Sequence, residues 1–104
     1  MELIVIQKLE DFIAKLTIQD KAKLTGTFLL FKEYGRTLPV KYLKRITGTK
    51  DLWELRAKKI RIFVAMYGNT GIAVHGIMKQ SQKTPKQDID LAVKRAARAK
   101  EDLL

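Results

Sequence analysis

Residues 51–84, DLWELRAKKIRIFVAMYGNTGIAVHGIMKQSQKT, form the segment from which we infer the architecture of this chain. The segment contains three short stretches in which apolar and polar side chains alternate, as they do in half-buried β-strands. Gly68, Asn69 and Gly71 separate the second stretch from the third, and Gly and Asn tolerate the positive φ of tight hairpin turns. The pattern therefore predicts a small antiparallel β-sheet of three strands.

The alternation also predicts which side chains share a face of this sheet. The expected core face consists of Trp53, Leu55, Ala57, Ile60, Ile62, Val64, Met66, Ile72, Val74 and Met78. The opposite face is expected to carry the polar and cationic residues Glu54, Arg56, Arg61, His75 and Lys79, together with Ile77. Because one face of an antiparallel sheet can stay open to water, we interpret this cationic face as the working surface.

Helices are predicted before and after the sheet in the chain. Apolar residues recur at helical spacing between Lys8 and Leu16, and a second helix is expected from Thr17 to about Tyr34, so the two form an α-hairpin. The four residues before them, Leu3 to Ile6, are compatible with either a strand or a helix start. The predicted fold class is therefore α+β, with an N-terminal α-hairpin packed on the sheet and a C-terminal helix after it.

The C-terminal helix is predicted to start at Thr84-Pro85-Lys86-Gln87. Thr84 and Gln87 can bond reciprocally in a capping box, and Pro85 suits the first helical position. The expected inner stripe is Ile89, Ala92, Val93, Ala96 and Ala97, whereas Lys94, Arg95, Arg98 and Lys100 are expected to face water or a partner. No linker or repeat interrupts the chain, so residues 1–104 are expected to form one domain.

The charge of the chain is unevenly distributed. Residues 1–40 carry six Lys and Arg against five Asp and Glu, whereas residues 41–104 carry fifteen against six, and the net charge is +10. Lys and Arg displace condensed counterions from nucleic acid, so this asymmetry indicates a surface that meets phosphates. An acidic protein partner would favour the same asymmetry, and both interpretations stay open.

Composition excludes several classes of site. The chain has no cysteine and one histidine, so a disulfide framework and a Cys-based or two-His metal site are excluded, and neither a metal nor a small-molecule cofactor is expected. No apolar run approaches the roughly 20 residues of a membrane span, and the first residues lack the pattern of a secretory signal. The expected location is therefore the cytoplasm, without membrane contact.

The cationic face suits a reaction that needs no metal, the attack of an RNA 2′-hydroxyl on the adjacent phosphate. Arg56 and Arg61 could stabilise the negative charge that develops on the phosphate oxygens. Lys79 is the candidate base, because neighbouring positive charges favour the neutral form of a lysine, and His75 is the alternative. The candidate RNA-binding residues are Lys58, Lys59, Lys83 and Lys86. From the pattern alone, these side chains are also compatible with an ordinary solvated surface.

The sequence also resembles the RelE/ParE superfamily of bacterial toxins, and within it the HigB-like, phage-derived branch. The resemblance is carried by LWELR at residues 52–56, IRI at 60–62, HGIMK at 75–79 and QKTP at 82–85 leading into residues 89–95. These blocks look like the LWELR, yRI, lHxFxKK and QKTP blocks of the branch, in the same order and at matching spacing. Arg56, Arg61 and Lys79 match positions associated with activity in that family.

The resemblance implies a toxin of a type II toxin–antitoxin system that cleaves mRNA on the ribosome and is restrained by a cognate helix-turn-helix antitoxin of the HigA-like kind. Three departures from the family blocks weaken the base-stacking part of the implied mechanism. Ile77 replaces the usual aromatic of lHxFxKK, and Gln80 replaces its second lysine. Ile89 falls near the position of the tyrosine that some RelE relatives stack on the base.

Two other functions are compatible with the same fold, because a fold does not determine function. One is a ParE-like inhibitor that binds gyrase and cleaves nothing. The other is a non-catalytic nucleic-acid-binding protein. A polar and cationic sheet face favours RNA cleavage over gyrase inhibition, whereas the nucleic-acid-binding alternative stays open.

Overall fold

The computed structural model describes residues 1–81 and 83–104, so Gln82, one residue of the QKTP block, lies outside the described residues. The elements follow in the order β1 (Glu2–Val5), α1 (Gln7–Ala14), α2 (Ile18–Tyr34), a 3-10 turn (Gly35–Thr37), β2 (Leu43–Arg45), β3 (Leu52–Ala57), β4 (Ile60–Tyr67), β5 (Thr70–Met78) and α3 (Lys86–Leu103). The predicted α+β class is confirmed. None of the helices in the described part of the chain is long and apolar enough to cross a membrane.

The sheet has five strands in the order β1-β5-β4-β3-β2. The three predicted strands form its centre through the antiparallel pairs β3–β4 and β4–β5. β2 adds an antiparallel strand at one edge, and β1 pairs in parallel with β5 at the other. The sheet is therefore mixed, whereas the sequence predicted an antiparallel one. Parallel neighbours need a long connection between them, and the helices and strands between β1 and β5 supply it.

Helices cover both faces of the sheet. α1 and α2 pack on one face, where the buried apolar residues are Leu9, Leu24, Phe31, Leu43, Leu55, Ala57, Ile60, Ile62, Val64, Met66 and Ala73. α3 packs on the opposite face, where the buried residues are Leu52, Phe63, Ala65, Ile72, Val74, Ala92, Ala96 and Ala99. The face that was predicted to stay open to water is covered by α3, so the prediction is wrong for that part of the face. The centre of the face is apolar, and the alanines of α3 let the helix approach it closely.

The turn between β4 and β5 sets the register of the pair. Tyr67 pairs with Thr70 across a two-residue turn, in which Gly68 has a φ of +58°. This register pairs Ala65 with Ile72, so Ile72 lies on the α3 side of the sheet. The prediction that Ile72 lies on the same face as the core residues of β3 and β4 is wrong, because the alternation within one strand does not determine its register against the next.

A β-bulge in β5 then returns His75 to the face of the sheet on which it was predicted. Phe63 pairs with His75, whereas the residue after Phe63 pairs with Ala73, so Val74 is an extra residue on β5. One extra residue reverses the alternation of the side chains that follow it. His75 therefore lies on the α3 side together with Ile72, although the two were predicted on opposite faces.

The inner stripe of α3 differs from the predicted one. Val93 and Ala97 are exposed, and Ala99 is buried instead, next to Ala92 and Ala96 in the inner stripe. Arg95, predicted to face outward, is half-buried, and its Nη1 donates to the carbonyl oxygen of Val74 at 3.1 Å. The bulge provides this acceptor, which is why periodicity alone could not place Arg95.

Two glycines test the packing of α2 on the sheet. A Cβ at Gly71 would meet Phe31 Cζ at 2.8 Å and Val64 Cγ1 at 2.9 Å, whereas a Cβ at Gly26 would meet nothing within 4 Å. We expect Gly71→Ala to destabilise the protein by about 1–3 kcal/mol through overpacking. Gly26→Ala should stabilise α2 by about 0.5–1 kcal/mol.

Urea unfolding of the two variants beside the unsubstituted chain measures both effects, and the two alanine substitutions should shift the midpoint in opposite directions. A Gly71→Ala variant as stable as the unsubstituted chain would contradict the close approach of Phe31 to β5.

Candidate active site

Arg56 and Arg61 lie directly opposite each other on β3 and β4. They flank the turn between the strands, where Lys58 has a φ of +56°. Arg61 Nη1 donates to the carbonyl oxygens of Lys58 and, at 3.0 Å, of Ile60. Like charges directly opposite on a strand pair destabilise it, so a nearby carboxylate is needed to hold both guanidinium groups in place.

Glu54 supplies that carboxylate. Its side chain is only 5% exposed, and its Oε1 accepts a hydrogen bond from Arg56 Nε at 2.9 Å and lies 3.4 Å from Arg61 Nε. Its Oε2 accepts from the hydroxyl of Thr84 at 2.8 Å. The predicted capping box of α3 is therefore wrong, because Thr84 uses its hydroxyl to bond Glu54, and the helix begins after Pro85 without a side-chain cap.

The environment of Glu54 favours its ionised form. Burial by itself would raise the pKa of Glu54, but hydrogen bonds from Thr84 and Arg56 and the positive charges of Arg56 and Lys79 outweigh it, so the pKa lies below its usual value. Burial lowers the pKa of Arg61, the charge of Glu54 opposes that change, and the charge of Arg56 adds to it. The carboxylate therefore stays charged beneath the two arginines at neutral pH.

The arginines open onto a cleft of about 710 Å³. The described residues that line it are Lys44, Arg56, Lys59, Arg61, Lys79, Gln80 and Ser81. The backbone N–H of Lys79 donates to the carbonyl oxygen of Lys59 at 2.7 Å, which holds these two lysines at the same end of the sheet. Five lining side chains are cationic, and none of the described ones is a carboxylate, so the cleft concentrates positive charge.

The structure brings together half of the residues that the sequence predicted for the site. Arg56, Arg61, Lys79 and Lys59 all line the cleft. Of the rest, Lys58, Lys83 and Lys86 are exposed outside the lining, and Lys86 Nζ is paired with Asp90 Oδ2 at 3.0 Å on α3.

His75, the alternative base, lies beneath α3 and not among the residues that line the cleft. Its Nε2 is 2.8 Å from Asp88 Oδ1, and its Nδ1 is 3.2 Å from Arg95 Nη1. Its ring stacks on Phe63 with the centroids 5.6 Å apart. Because Arg95 can only donate, Nδ1 accepts and Nε2 carries the proton bonded to Asp88. These contacts give His75 a structural role, in which it ties α3 to β5.

Sequence reasoning placed Glu54 on the working surface without giving it a role, and it did not assign Lys44 to the site. The two residues are directly opposite each other on β2 and β3. The signal for Lys44 was the run of basic residues before the sheet, but its position depends on the pairing of β2 with β3, which the sequence did not predict. Gln80 and Ser81 carry no sequence signal, since they line the cleft only through the path of the chain after β5.

The arrangement can bind a phosphate and stabilise added negative charge on it. Glu54 fixes the two guanidinium groups, and fixed donors stabilise a developing charge without further reorganisation. Glu54 is buried and already bonded to Arg56 and Thr84, so proton transfer in the cleft would depend on the side chains that line it, of which three of the described ones are lysines. No three His, Asp or Glu side chains of residues 1–81 and 83–104 form a group that could hold a metal ion.

Comparisons with known proteins agree with this architecture. Residues 11–97 match the family described as "Phage derived protein Gp49-like (DUF891)". The structure is similar to the crystal structure of the isolated E. coli RelE toxin, with a TM-score of 0.62 and 11% sequence identity over 86% of this chain and 95% of that chain. At this identity the similarity shows the fold alone. The comparison of the sequence with curated proteins found no match.

The role of Glu54 predicts a dependence of stability on pH. The pKa of Glu54 is lower in the folded state than its ordinary value of 4.5, so its contribution is complete above that value and is lost as the pH falls through the folded-state pKa. Near neutral pH we expect Glu54→Gln to lower the free energy of unfolding by about 1–3 kcal/mol, because the two opposed arginines lose the negative charge that neutralises them.

Urea unfolding at neutral and at acidic pH measures this effect, and the difference between Glu54→Gln and the unsubstituted chain should shrink as the pH falls. Glu101→Gln, a substitution at an exposed position of α3, is the matched control. An equal difference at both pH values would show that the charge of Glu54 is not what stabilises the site.

Proposed function

The chain belongs to the phage-derived Gp49-like family, and from this membership and the geometry of the cleft we propose that it is the toxin of a type II toxin–antitoxin system that cleaves mRNA. Within the RelE superfamily, the sequence blocks favour the HigB-like branch. The observation that carries the proposal is the cleft in which Arg56 and Arg61, oriented by Glu54, lie together with three lysines.

The proposed reaction is transesterification by the RNA itself. The 2′-oxygen attacks the adjacent phosphorus, a bond forms between them, and the bond from phosphorus to the 5′-oxygen of the next nucleotide breaks. Arg56 and Arg61 stabilise the charge on the non-bridging oxygens. Lys79 accepts the proton of the 2′-hydroxyl, and Lys59, whose carbonyl bonds the amide of Lys79, donates a proton to the departing 5′-oxygen.

The shape of the cleft supports a reaction that takes place on the ribosome. The described residues that line the cleft supply cations for phosphates, and none of these lining residues is aromatic, so the cleft itself does not hold a base. A substrate bound in this way needs further orientation, because the reacting atoms must be aligned before the attack. We therefore propose that the ribosome presents the mRNA to the cleft, in the cytoplasm.

The proposed partner is a cognate antitoxin of the HigA-like, helix-turn-helix kind that carries an acidic segment. The net charge of +10 supports an acidic partner, and the cleft, with five cationic lining side chains, is a surface that such a segment could cover. Complementary charge accelerates association more than it strengthens the final complex. Binding of the antitoxin is therefore expected to be fast and sensitive to salt.

Substitution of the arginines tests the site. Arg56→Ala and Arg61→Ala should each abolish growth arrest on induction and reduce mRNA cleavage about 10²–10³-fold, because each removes a fixed donor to the phosphate. The matched control is Arg98→Ala, which removes an exposed arginine of α3 that pairs with Asp102 at 3.9 Å. Coexpression of the acidic antitoxin should relieve the arrest that the unsubstituted chain causes.

Circular dichroism should show that both variants stay folded, and loss of the folded signal would assign the arginines a structural role. Growth arrest with intact mRNA and damaged DNA would instead favour a gyrase inhibitor.

The products test the chemistry. If the 2′-hydroxyl is the nucleophile, the upstream fragment ends in a 2′,3′-cyclic phosphate and the downstream fragment begins with a 5′-hydroxyl. A 2′-methoxy group at the cleaved position should abolish the cut, and EDTA should leave a minimal reaction unaffected. Lys79→Gln should lower turnover about 10²–10⁴-fold, since it removes the proton acceptor.

Mass spectrometry of the two ends and single-turnover rates make these measurements, with His75→Gln expected to lower turnover less than Lys79→Gln. A 5′-phosphate on the downstream fragment would identify water as the nucleophile and would rule out this mechanism.

A further inference from the structure

Tyr42 is an aromatic residue whose position the hydrophobic core does not explain. The chain has eight aromatic side chains. Two are fully buried in the core, Phe31 and Phe63. Four others pack against the core, namely Phe12, Phe28, Trp53 and Tyr67. Tyr34 is 55% exposed at the end of α2. Tyr42 is half-buried but belongs to neither core cluster, and its hydroxyl has no hydrogen-bond partner among the residues that the structure describes.

The backbone places Tyr42 at the rim of the cleft. Tyr42 immediately precedes the edge strand β2, and its carbonyl oxygen accepts a hydrogen bond from the backbone N–H of Arg56 at 2.7 Å. Lys44, two residues later, lines the cleft. The backbone of Tyr42 therefore lies at the outer edge of the sheet, beside Arg56.

The segment around Tyr42 is cationic throughout. Residues 34–50 contain five Lys and Arg and no Asp or Glu. Lys41 Nζ lies 5.6 Å from the centroid of the Tyr42 ring, and Arg45 Nη2 donates to the carbonyl oxygens of Thr49 at 3.1 Å and Lys50 at 2.7 Å. An aromatic ring within a strip of cations is the combination with which proteins bind single-stranded nucleic acid, where bases stack and phosphates pair with charge.

We propose that Tyr42 is the base-stacking platform for a nucleotide next to the scissile phosphate, with Lys44 and Lys41 binding the phosphates on either side of it. This inference rests on the proposed function, because it assigns the base of the same RNA whose phosphate enters the cleft. An acidic protein segment could pair with the lysines, but its carboxylates would gain little from the ring. Stacking is tolerant of base identity, so Tyr42 contributes affinity and orientation more than sequence preference.

The first test measures binding without cleavage. A fluorescent oligoribonucleotide with 2′-methoxy groups is titrated free and, in parallel, as the message of a programmed ribosome. Tyr42→Ala should weaken binding roughly 5- to 150-fold, the range of one base–aromatic stack. Tyr42→Phe should bind like the unsubstituted chain, since the ring and not the hydroxyl is used. Tyr34→Ala, which removes an exposed tyrosine on α2, should have no effect.

The second test separates stacking from charge. Removing one base from the oligonucleotide, at the nucleotide that Tyr42 contacts, should weaken binding to the unsubstituted chain and add no further loss to Tyr42→Ala. Lys44→Ala should lower the slope of log affinity against log salt concentration by about one phosphate contact, whereas Tyr42→Ala should leave the slope unchanged.

The outcomes distinguish the inference from the proposed function. If Tyr42→Ala binds RNA normally while Arg61→Ala does not, the stacking role is wrong and the proposed function survives. If the unsubstituted chain binds neither free nor ribosomal RNA, both are wrong. If Tyr42→Ala loses only the binding of an acidic peptide, the rim of β2 is a protein-docking surface, and the inference is overturned.

Discussion

The carboxylate of Glu54 lies beneath two guanidinium groups that would otherwise repel each other, and this neutralisation makes the cleft possible. The register of β3 against β4 places Arg56 directly opposite Arg61. A buried carboxylate without partners would be costly, and two arginines without a carboxylate would separate. Each group thus removes the main cost of the other, and both arginines line the cleft.

The same carboxylate connects the site with α3. The hydroxyl of Thr84 donates to Glu54 two residues before the first residue of the helix, so the segment that carries Gln80 and Ser81 past the cleft is anchored at the floor of the site. Farther along the same face, the β-bulge at Val74 presents a carbonyl oxygen to Arg95. α3 is therefore held by polar contacts at both places, whereas its alanines supply the apolar contact between them.

The sequence predicted most of the central sheet because alternation of side chains is a local property. It placed Arg56, Arg61 and Lys79 on one face, and the structure brings them together. What it missed depends on contacts between distant segments. The parallel pairing of β1, the register that moves Ile72, and the use of Thr84 by Glu54 instead of by the helix cannot be inferred from the spacing of residues along one element.

A cluster of cations by itself does not orient a nucleotide, because the attraction between an ammonium group and a phosphate depends on distance more than on direction. The guanidinium pair adds direction, since Glu54 and the carbonyl oxygens of Lys58 and Ile60 hold the two groups. In the proposed reaction, however, the pair acts on the phosphate and not on the sugar that carries the nucleophile. Alignment of the 2′-oxygen with the departing 5′-oxygen must come from contacts to the base or from a larger assembly that holds the RNA. The ring of Tyr42 would supply the contact to the base, and the ribosome would be the larger assembly that holds the RNA. The open form of the cleft is compatible with a substrate that arrives already oriented, whereas an enzyme acting alone on free RNA would be expected to enclose the nucleotide it cleaves.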